Sequence, residues 1–201
     1  MRTTLRTTGV AARAMVLFTL LLGIGYMLLI TGIGQAAFPF QANGSLVRDA
    51  DGQVVGSQLI GQSWTDADGN ALPEYFQSRP SAAGDGYDST ASSGSNWGPE
   101  NEDLIAAIEE RKAAIAALDG SGAIPADAVT ASGSGLDPDI SVANAELQAA
   151  RVAEARGIGE QEVRDLVAQH VQPRDWGYLG EPRVNVLEVN LALDALAPAS
   201  R

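Results

Sequence analysis

One uninterrupted apolar segment constrains this chain more than any other feature. From Ala14 to Gly34 the sequence reads AMVLFTLLLGIGYMLLITGIG and contains no charged residue. A helix of about 21 residues is roughly 31 Å long, which matches the ~30 Å hydrocarbon core of a bilayer. The segment therefore predicts a transmembrane helix, and we expect the rest of the chain to form a domain that this single helix holds at the membrane.

The residues that flank the apolar segment predict its orientation. Arg2, Arg6 and Arg13 precede it, and residues 1–34 contain no Asp or Glu. By the positive-inside rule, the N-terminus stays in the cytoplasm and the remainder is exported. A cleaved signal peptide is the alternative, because small residues follow Gly34. Secretory apolar regions usually span about 7–15 residues, and this one is longer, so an uncleaved anchor is favoured.

The exported part of the chain is strongly acidic. The whole sequence has 25 acidic and 13 basic residues, and three of the basic ones precede the apolar segment. The remainder thus carries ten basic against 25 acidic residues, a net charge of −15. Such a charge disfavours binding to nucleic acid or to anionic lipid headgroups. The predicted parts are a cytoplasmic N-terminus (1–13), the transmembrane helix (14–34), a linker (35–43), an extracytoplasmic α+β domain (44–196) and a tail (197–201).

Turn and periodicity signals predict the elements of the α+β domain. The residues around Asp49-Ala50-Asp51-Gly52 are typical of a β-hairpin, and Ser141 and Gly157 are suited to begin and end a helix. The predicted elements are strands at 45–47 and 54–55, a further strand at Leu59-Ile60 and Trp64, a turn at 66–70, loops at 79–99 and 124–140, a helix that begins at Pro99 and stops at Asp119-Gly120-Ser121-Gly122, helices from 141 to 156 and from 160 to 171, and a closing strand at 183–190.

Few residues offer catalytic chemistry. His170 is the sole histidine and is expected to be a packed or surface residue of a helix. The chain has no cysteine, which excludes thiol chemistry and disulfides. Its only lysine, Lys112, lies within a predicted helix, and a nucleotide-binding P-loop needs its lysine directly after a glycine turn.

Two serine–glycine segments are open to two interpretations. They read Ser92-Ser93-Gly94-Ser95 and Ser132-Gly133-Ser134-Gly135, and Arg79 precedes the first. Backbone N–H groups in such segments bind anions, but serine and glycine also form ordinary turns. Asp137-Pro138-Asp139 likewise offers carboxylates either to a cation or to the capping of the following helix.

Five long blocks follow one another in this sequence. They are GSLVRDADGQVVGSQLIGQSW (44–64), YFQSRPSAAGDGYDSTASSGSNWGPEN (75–101), VTASGSGLDPDIS (129–141), RVAEAR (151–156) and GEPRVNVLEVNLAL (180–193). In their order and spacing, over about residues 10–196, they resemble the C subunit of the bacterial Kdp potassium-transporting P-type ATPase.

The resemblance implies a non-catalytic subunit of a larger pump. In that family a channel-like subunit binds potassium and a P-type subunit hydrolyses ATP, with a small single-helix subunit beside them. The C subunit spans the inner membrane once, is needed for assembly, and raises the ATP affinity of its partner as a catalytic chaperone. No covalently bound cofactor or metal is implied, because ATP and potassium are handled by the complex.

The resemblance also marks interaction candidates in this chain. Gln148 is among them, although Ala149 follows it where the family usually has valine. A direct contact with ATP conflicts with the predicted topology, because cytoplasmic ATP lies across ~30 Å of hydrocarbon from an exported domain. The alternative function is a free-standing exported module that binds a small anion or peptide through the 79–99 loop. The full set of candidates is Arg79, Pro80, Ser81, Tyr87, Ser92, Ser93, Gly94, Ser95, Asn96, Ser132, Gly133, Ser134, Gly135, Asp137, Pro138, Gln148, Arg183 and Asn185.

Overall fold

The computed structural model describes residues 2–49, 51–120 and 122–198. The chain divides into two compact units, Met1–Leu46 and Val47–Arg201. Ala50 of the predicted hairpin turn, Ser121 of the predicted helix stop and residues 199–201 of the predicted tail lie outside the described residues.

The first unit is dominated by one long helix. It consists of α1 (Arg2–Phe18), a π-helical segment (Thr19–Tyr26) and α2 (Met27–Ala37), and a short α3 (Pro39–Ala42) follows. Within the part of the chain that is described, Thr3–Ala37 is the one helix long and apolar enough to cross a membrane. None of its most apolar stretch is buried by the chain itself. This confirms the predicted transmembrane helix, whose exposed leucine and isoleucine side chains require an apolar environment.

The predicted β-hairpin is present, and all of it except Leu46 belongs to the second unit. Strand β1 (Leu46–Arg48) pairs with β2 (Val54–Ser57). The Asp49 carboxylate stabilises the turn, because its Oδ1 accepts hydrogen bonds from the backbone N–H groups of Asp51 and Gln53 at 3.0 and 2.8 Å. The adjoining turn at 66–70 is confirmed in the same way, with Asp66 Oδ1 accepting from Asp68 and Asn70.

The further strand predicted at Leu59-Ile60 and Trp64 is wrong. Ile60 forms only an isolated bridge with Ser57, and the next bridge joins Thr65 to Ala71. A strand persists only where a neighbouring strand satisfies its N–H and C=O groups along its length. The described residues supply no such neighbour here, so the segment is irregular.

Helix ends follow their capping residues. Helix α4 (Glu102–Asp119) begins after Asn101, whose side chain accepts from the N–H groups of Asp103 and Leu104, so the predicted start at Pro99 is three residues early. Helix α6 (Val142–Arg156) confirms its prediction, with Ser141 as the N-cap and Gly157 as the left-handed C-cap. Helix α7 (Glu160–Gln169) ends before Val171, which belongs to strand β4 (Val171–Gln172) instead of the predicted helix.

The closing segment changes from strand to helix at Asn185. Only β5 (Arg183–Asn185) is extended, and the predicted strand to 190 is wrong because α8 (Val186–Leu196) begins there. The Asn185 side chain accepts from Glu188 N and caps the new helix. The buried side chains of this helix recur at helical spacing, at Val186, Val189, Asn190 and Leu193. The predicted loop at 124–140 is also partly regular, since it contains α5 (Ala126–Val129) and leads into β3 (Asp139–Ser141).

A small antiparallel sheet and three helices enclose the core. The strand order is β3-β5-β4, with Ile140 opposite Val184 and Val171 opposite Val184 on its other side. Helices α6, α7 and α8 supply most of the remaining core. This arrangement confirms the predicted α+β class. The fully buried apolar side chains of this core are Phe76, Ala145, Ala149, Val152, Val163, Val167, Val184, Val189 and Leu193.

Candidate functional site: the paired serine–glycine loops

The two serine–glycine segments, 40 residues apart in sequence, lie against each other. Ser92 Oγ donates to the Ser134 carbonyl at 2.9 Å, and the backbone N–H of Ser93 donates to the same oxygen at 3.0 Å. A Cβ atom on Gly94 would lie 2.9 Å from the Gly133 carbonyl oxygen. The backbones can therefore approach this closely only because Gly94 has no side chain.

Ser81 connects the first loop to the second serine–glycine segment through its side-chain hydroxyl. Its Oγ donates to the Gly135 carbonyl at 2.6 Å and accepts from the N–H groups of Ala83 and Tyr87 at 3.1 and 2.9 Å. The Gly135 N–H donates in turn to Ser132 Oγ at 2.7 Å. Serine hydroxyls here replace the regular backbone partners that an irregular chain lacks, as the turn interpretation predicts.

Gly135 is required by both its conformation and its surroundings. Its φ is +67°, and a Cβ there would lie 2.6 Å from the Ser93 carbonyl oxygen and 2.7 Å from the Ala83 nitrogen. Two further residues of the first loop, Tyr87 and Asn96, have φ values of 56° and 55° without being glycine. Backbone strain of this kind persists only where surrounding contacts stabilise it, and it is concentrated at functional sites.

Arg79 is paired with Asp137 across the loops. Its Nη1 lies 2.9 Å from Asp137 Oδ2, and Nη2 donates to the Thr130 carbonyl at 3.2 Å. The neighbouring Pro80 carbonyl accepts from Ser132 N at 3.3 Å. The guanidinium is therefore already neutralised by a carboxylate, and in this structure it stabilises the loop pair.

The Tyr87 hydroxyl contacts the backbone carbonyls of both residues of this ion pair. It donates to the Arg79 carbonyl at 2.7 Å. Burial raises the pKa of Tyr87 to about 12, and the negative charge of Asp137 acts in the same direction. The phenol therefore stays neutral at physiological pH and acts as a hydrogen-bond donor.

A cleft of about 200 Å³ opens beside the loop pair. Two buried donors on residues that line this cleft, Trp64 Nε1 and Arg79 Nε, have no hydrogen-bond partner among the described residues. Serine and threonine hydroxyls make up much of the remaining wall. The chemistry of the lining suits an acceptor group, such as a carbonyl or carboxylate, more than a cation. The lining residues are Ser63, Trp64, Thr65, Gln77, Ser78, Arg79, Ser81, Gly86 and Tyr87.

Gln148 lies apart from the loops, on the buried face of α6. Its Oε1 accepts from the Gln77 N–H at 2.7 Å and from Arg151 Nη2 at 2.8 Å. Its Nε2 donates to the Gln77 carbonyl at 3.1 Å and to Asn144 Oδ1 at 3.0 Å. The Gln148 amide therefore forms all these hydrogen bonds inside the domain. Its partner Gln77 lies two residues before Arg79 in the chain.

Arg183 and Asn185 lie on β5 and contact Asp139, the first residue of the neighbouring strand β3. Arg183 Nε lies 3.1 Å from Asp139 Oδ2, and Asn185 Nδ2 donates to Asp139 Oδ1 at 3.3 Å. Burial raises the pKa of Asp139, and Arg183 opposes this rise. Since Asp137 pairs with Arg79 and Asp139 with Arg183, the Asp137-Pro138-Asp139 carboxylates are neutralised within the domain. Among the described residues, no group of three or more His, Asp or Glu side chains is arranged to hold a metal.

Comparison with known proteins identifies the family. The sequence model described as "K+-transporting ATPase, c chain" matches residues 8–195. The chain belongs to the KdpC family. A Potassium-transporting ATPase KdpC subunit from Caulobacter vibrioides is 61% identical over 185 residues, covering 92% of this chain and 91% of that protein. The proteins of the same name from Beijerinckia indica and Mycobacterium bovis are 57% and 53% identical, with coverage of 94% and 92% of this chain and 93% and 96% of their own.

The KdpC assignment agrees with the sequence blocks that carried the resemblance. The sequence analysis missed several residues that hold these blocks in place. Asn190 is fully buried and hydrogen-bonded to the backbone of Phe76, and Asp127 accepts from the Ser141 backbone N–H and hydroxyl at 2.8 Å each. The only sequence signal for Asn190 is its place inside the block at 180–193. His170, the sole histidine, has Nδ1 2.9 Å from the Leu166 carbonyl at the end of α7, as expected of a packed residue.

Proposed function

We propose that this chain is the accessory, non-catalytic subunit of an ATP-driven potassium importer in a bacterial inner membrane, and that the complex needs it for assembly. The observation that carries the proposal is the family match over residues 8–195, which includes both the transmembrane helix and the loop pair. The partners are a channel-like potassium-binding subunit, an ATP-hydrolysing subunit and a small single-helix subunit.

The transmembrane helix stays uncleaved and places the second unit outside the cell. Support comes from the arginines before the helix and from the net charge of −15 after it. Because the chain has no cysteine, this orientation is testable with a single introduced thiol. In Ala155→Cys the thiol lies on the exposed side of α6, and a membrane-impermeant maleimide should label it in intact cells. Labelling that requires cell lysis would contradict the orientation.

A co-purification experiment tests the role in assembly. We expect a C-terminally tagged chain, solubilised in mild detergent, to bring the other subunits with it, and deletion of residues 14–34 to abolish this. The matched control replaces 14–34 by an unrelated apolar helix of equal length, which keeps the domain at the membrane but removes specific helix packing. A wild-type chain that purifies alone, with potassium uptake intact in its absence, would refute the proposal and favour the free-standing binding module.

We further propose that the subunit raises the ATP affinity of its hydrolysing partner without contacting ATP. An exported domain is separated from cytoplasmic ATP by ~30 Å of hydrocarbon, so the effect requires a conformational equilibrium of the partner subunits. The KM for ATP of the hydrolysing subunit should be higher when that subunit is purified without this chain than when it is in the whole complex. A photoreactive ATP analogue should label the hydrolysing subunit alone, and specific labelling of this chain would overturn the proposal.

A further inference from the structure

Three arginines precede the apolar segment and lie on one face of α1. Arg6 and Arg13 are seven residues apart, so their positions differ by only about 20° around the helix axis. Arg2 is four residues before Arg6, which places it within about 40° of the same direction. The side chains of Arg6 and Arg13 are exposed. The helix therefore presents its positive charge in one direction, and we call these three residues the arginine face.

No carboxylate within the first unit can neutralise the arginine face. Residues 1–48 contain no Asp or Glu, and the first unit ends at Leu46. Guanidinium groups stay protonated at physiological pH and donate hydrogen bonds in a fixed fork that matches phosphate oxygens. A second copy of this chain in the same orientation would add a second set of arginines, so like-charge repulsion disfavours it as a partner. The arginine face is therefore available to an external anion.

A shallow apolar groove begins at Arg13 and continues into the membrane-spanning part of the helix. Its volume is about 380 Å³, and its lining consists of Ala12, Arg13, Val16, Leu17 and Leu20. Helix side chains lean toward the N-terminus, and arginine keeps its charged end in the polar layer, so we expect the Arg13 guanidinium to lie among the lipid headgroups. A phosphate at Arg13 places its attached acyl chain along the groove. A free anion or an acidic peptide would leave this apolar surface uncovered.

We propose that the arginine face and this groove bind an anionic phospholipid of the cytoplasmic leaflet, with a phosphate at Arg13 and an acyl chain against Val16, Leu17 and Leu20. Arg6 lies about 10 Å farther along the helix, within about one Debye length of the headgroups, and adds to the attraction. The inference rests on the proposed function only for the choice of leaflet, since the membrane helix itself supplies the site.

A lipid-binding measurement on the full-length chain in detergent tests the role of charge. Native mass spectrometry counts bound lipid as dioleoyl phosphatidylglycerol or dioleoyl phosphatidylcholine is added. We expect phosphatidylglycerol to bind more tightly, and Arg6→Gln with Arg13→Gln to weaken its binding about 25-fold, at about fivefold per arginine. The control, Arg48→Gln, removes an exposed arginine outside the arginine face and should leave the affinity unchanged. Equal affinity of the wild-type chain for both lipids would overturn the inference.

A charge-moving variant separates the arginine face from net charge. Arg6→Thr combined with Thr8→Arg keeps the composition and the net charge, but it moves one positive charge about 160° around the helix. We expect the affinity for phosphatidylglycerol to fall about fivefold. An unchanged affinity would show that the position of the charge does not matter, and the inference would fail.

Two tryptophan substitutions test the groove. Val16→Trp fills the groove without changing the charge, and we expect it to weaken phosphatidylglycerol binding about tenfold. Met15→Trp is the matched control, because Met15 is exposed and lies outside the groove lining. Equal binding by the two variants would refute the role of the acyl chain. Displacement of the lipid by millimolar inorganic phosphate would show a site for free anions and would also overturn the inference.

The assembled complex tests for a competing occupant. A photoreactive phosphatidylglycerol should crosslink to residues 6–20 of this chain in the free chain and in the complex. A crosslink that disappears in the complex would show that a partner subunit covers the arginine face, and would overturn the inference. The proposed function fails separately, if the wild-type chain does not co-purify with other subunits. A chain that co-purifies but does not distinguish the two lipids refutes the lipid site alone.

Discussion

Asn190 satisfies the backbone of Phe76 in both directions. Its Oδ1 accepts from the Phe76 N–H at 2.9 Å, and its Nδ2 donates to the Phe76 carbonyl at 3.0 Å, with both residues fully buried. Gln148 does the same for the next residue, Gln77, at 2.7 and 3.1 Å. Two amide side chains, from α8 and α6, thus replace the neighbouring strand that this irregular segment lacks. The segment leads directly to Arg79, so these amides position the base of the loop pair.

Removing the Asn190 amide should destabilise the domain strongly. Asn190→Ala leaves a buried N–H and a buried C=O of Phe76 without partners, which we expect to cost about 2–4 kcal/mol. The measurement is urea unfolding of the full-length chain in detergent, followed by near-ultraviolet circular dichroism. Asn70→Ala is the control, since Asn70 is exposed and hydrogen-bonded to Asp66 at the surface, and it should cost less than about 1 kcal/mol. An equal loss of unfolding free energy in both variants would show that the hydrogen bonds between Asn190 and Phe76 do not stabilise the domain.

The loop pair should be sensitive at Gly135 and tolerant at Gly133. A methyl group on Gly135 meets the Ser93 and Ala83 backbones at under 3 Å in a left-handed conformation, whereas Gly133 has no atom within 4 Å of its Cβ position. We expect Gly135→Ala to cost about 1–3 kcal/mol and Gly133→Ala to stay within about 0.5 kcal/mol of wild type. Thermal unfolding of both variants checks this. A neutral Gly135→Ala would mean that the loops do not pack as described.

The buried ion pair of Arg151 and Asp119 should matter more than the exposed pair of Lys112 and Glu109. Arg151 Nε lies 2.7 Å from Asp119 Oδ1, with side-chain exposures of 7% and 5%. Asp119→Ala leaves a buried guanidinium without its carboxylate, for an expected cost of about 3–5 kcal/mol. Glu109→Ala breaks a pair at the surface and should cost about 0–1 kcal/mol. The measurement is chemical unfolding of Asp119→Ala and Glu109→Ala side by side. Equal unfolding midpoints would show that the buried pair contributes no more to stability than the exposed pair.

Tyr87 should make the domain less stable as the pH rises from 10 to 12. Burial raises the pKa of Tyr87 to about 12 in the folded state, against an unfolded value near 10. Between these values the unfolded chain loses the phenolic proton while the folded chain retains it, so stability falls with rising pH. The stabilisation from neutral Tyr87 is fully present below pH 10.

Tyr87→Phe tests this pH dependence. The variant loses the hydrogen bond to the Arg79 carbonyl and should be less stable than wild type by roughly 1 kcal/mol at pH 9. It cannot lose a phenolic proton, so the difference should shrink or reverse by pH 12. Unfolding midpoints at pH 9, 10, 11 and 12 measure this, with the exposed Tyr178→Phe as the control. A difference that stays constant over this range would contradict the assignment.

Elements with strong local signals were predictable. The apolar segment specified its helix because a run this long requires an apolar environment wherever it lies. The hairpin followed from the turn residues around Asp49, and α6 from its N-cap Ser141 and C-cap Gly157. In each case the deciding interactions join residues fewer than five positions apart, so the sequence alone contains them.

Elements that depend on distant partners were mispredicted. Residues 183–190 alternate apolar and polar side chains, which is typical of a strand, but a short apolar run also fits a buried helix. The Asn185 cap and the packing of Val189 and Leu193 into the core decided for helix. The strand predicted at Leu59-Ile60 is absent for a different reason. These residues have a strand-like composition, but no neighbouring strand among the described residues pairs with them.

The sequence by itself determined that the chain has one membrane helix, an acidic α+β domain and two serine–glycine segments. Only the tertiary structure decided that Ser92 contacts Ser134, that Arg79 is paired with Asp137, and that Asn190 supports Phe76. These partners lie 42, 58 and 114 positions apart. Sequence periodicity reports on spacings of two to four residues, whereas contacts at such separations are selected by how the helices and sheet pack around a shared core.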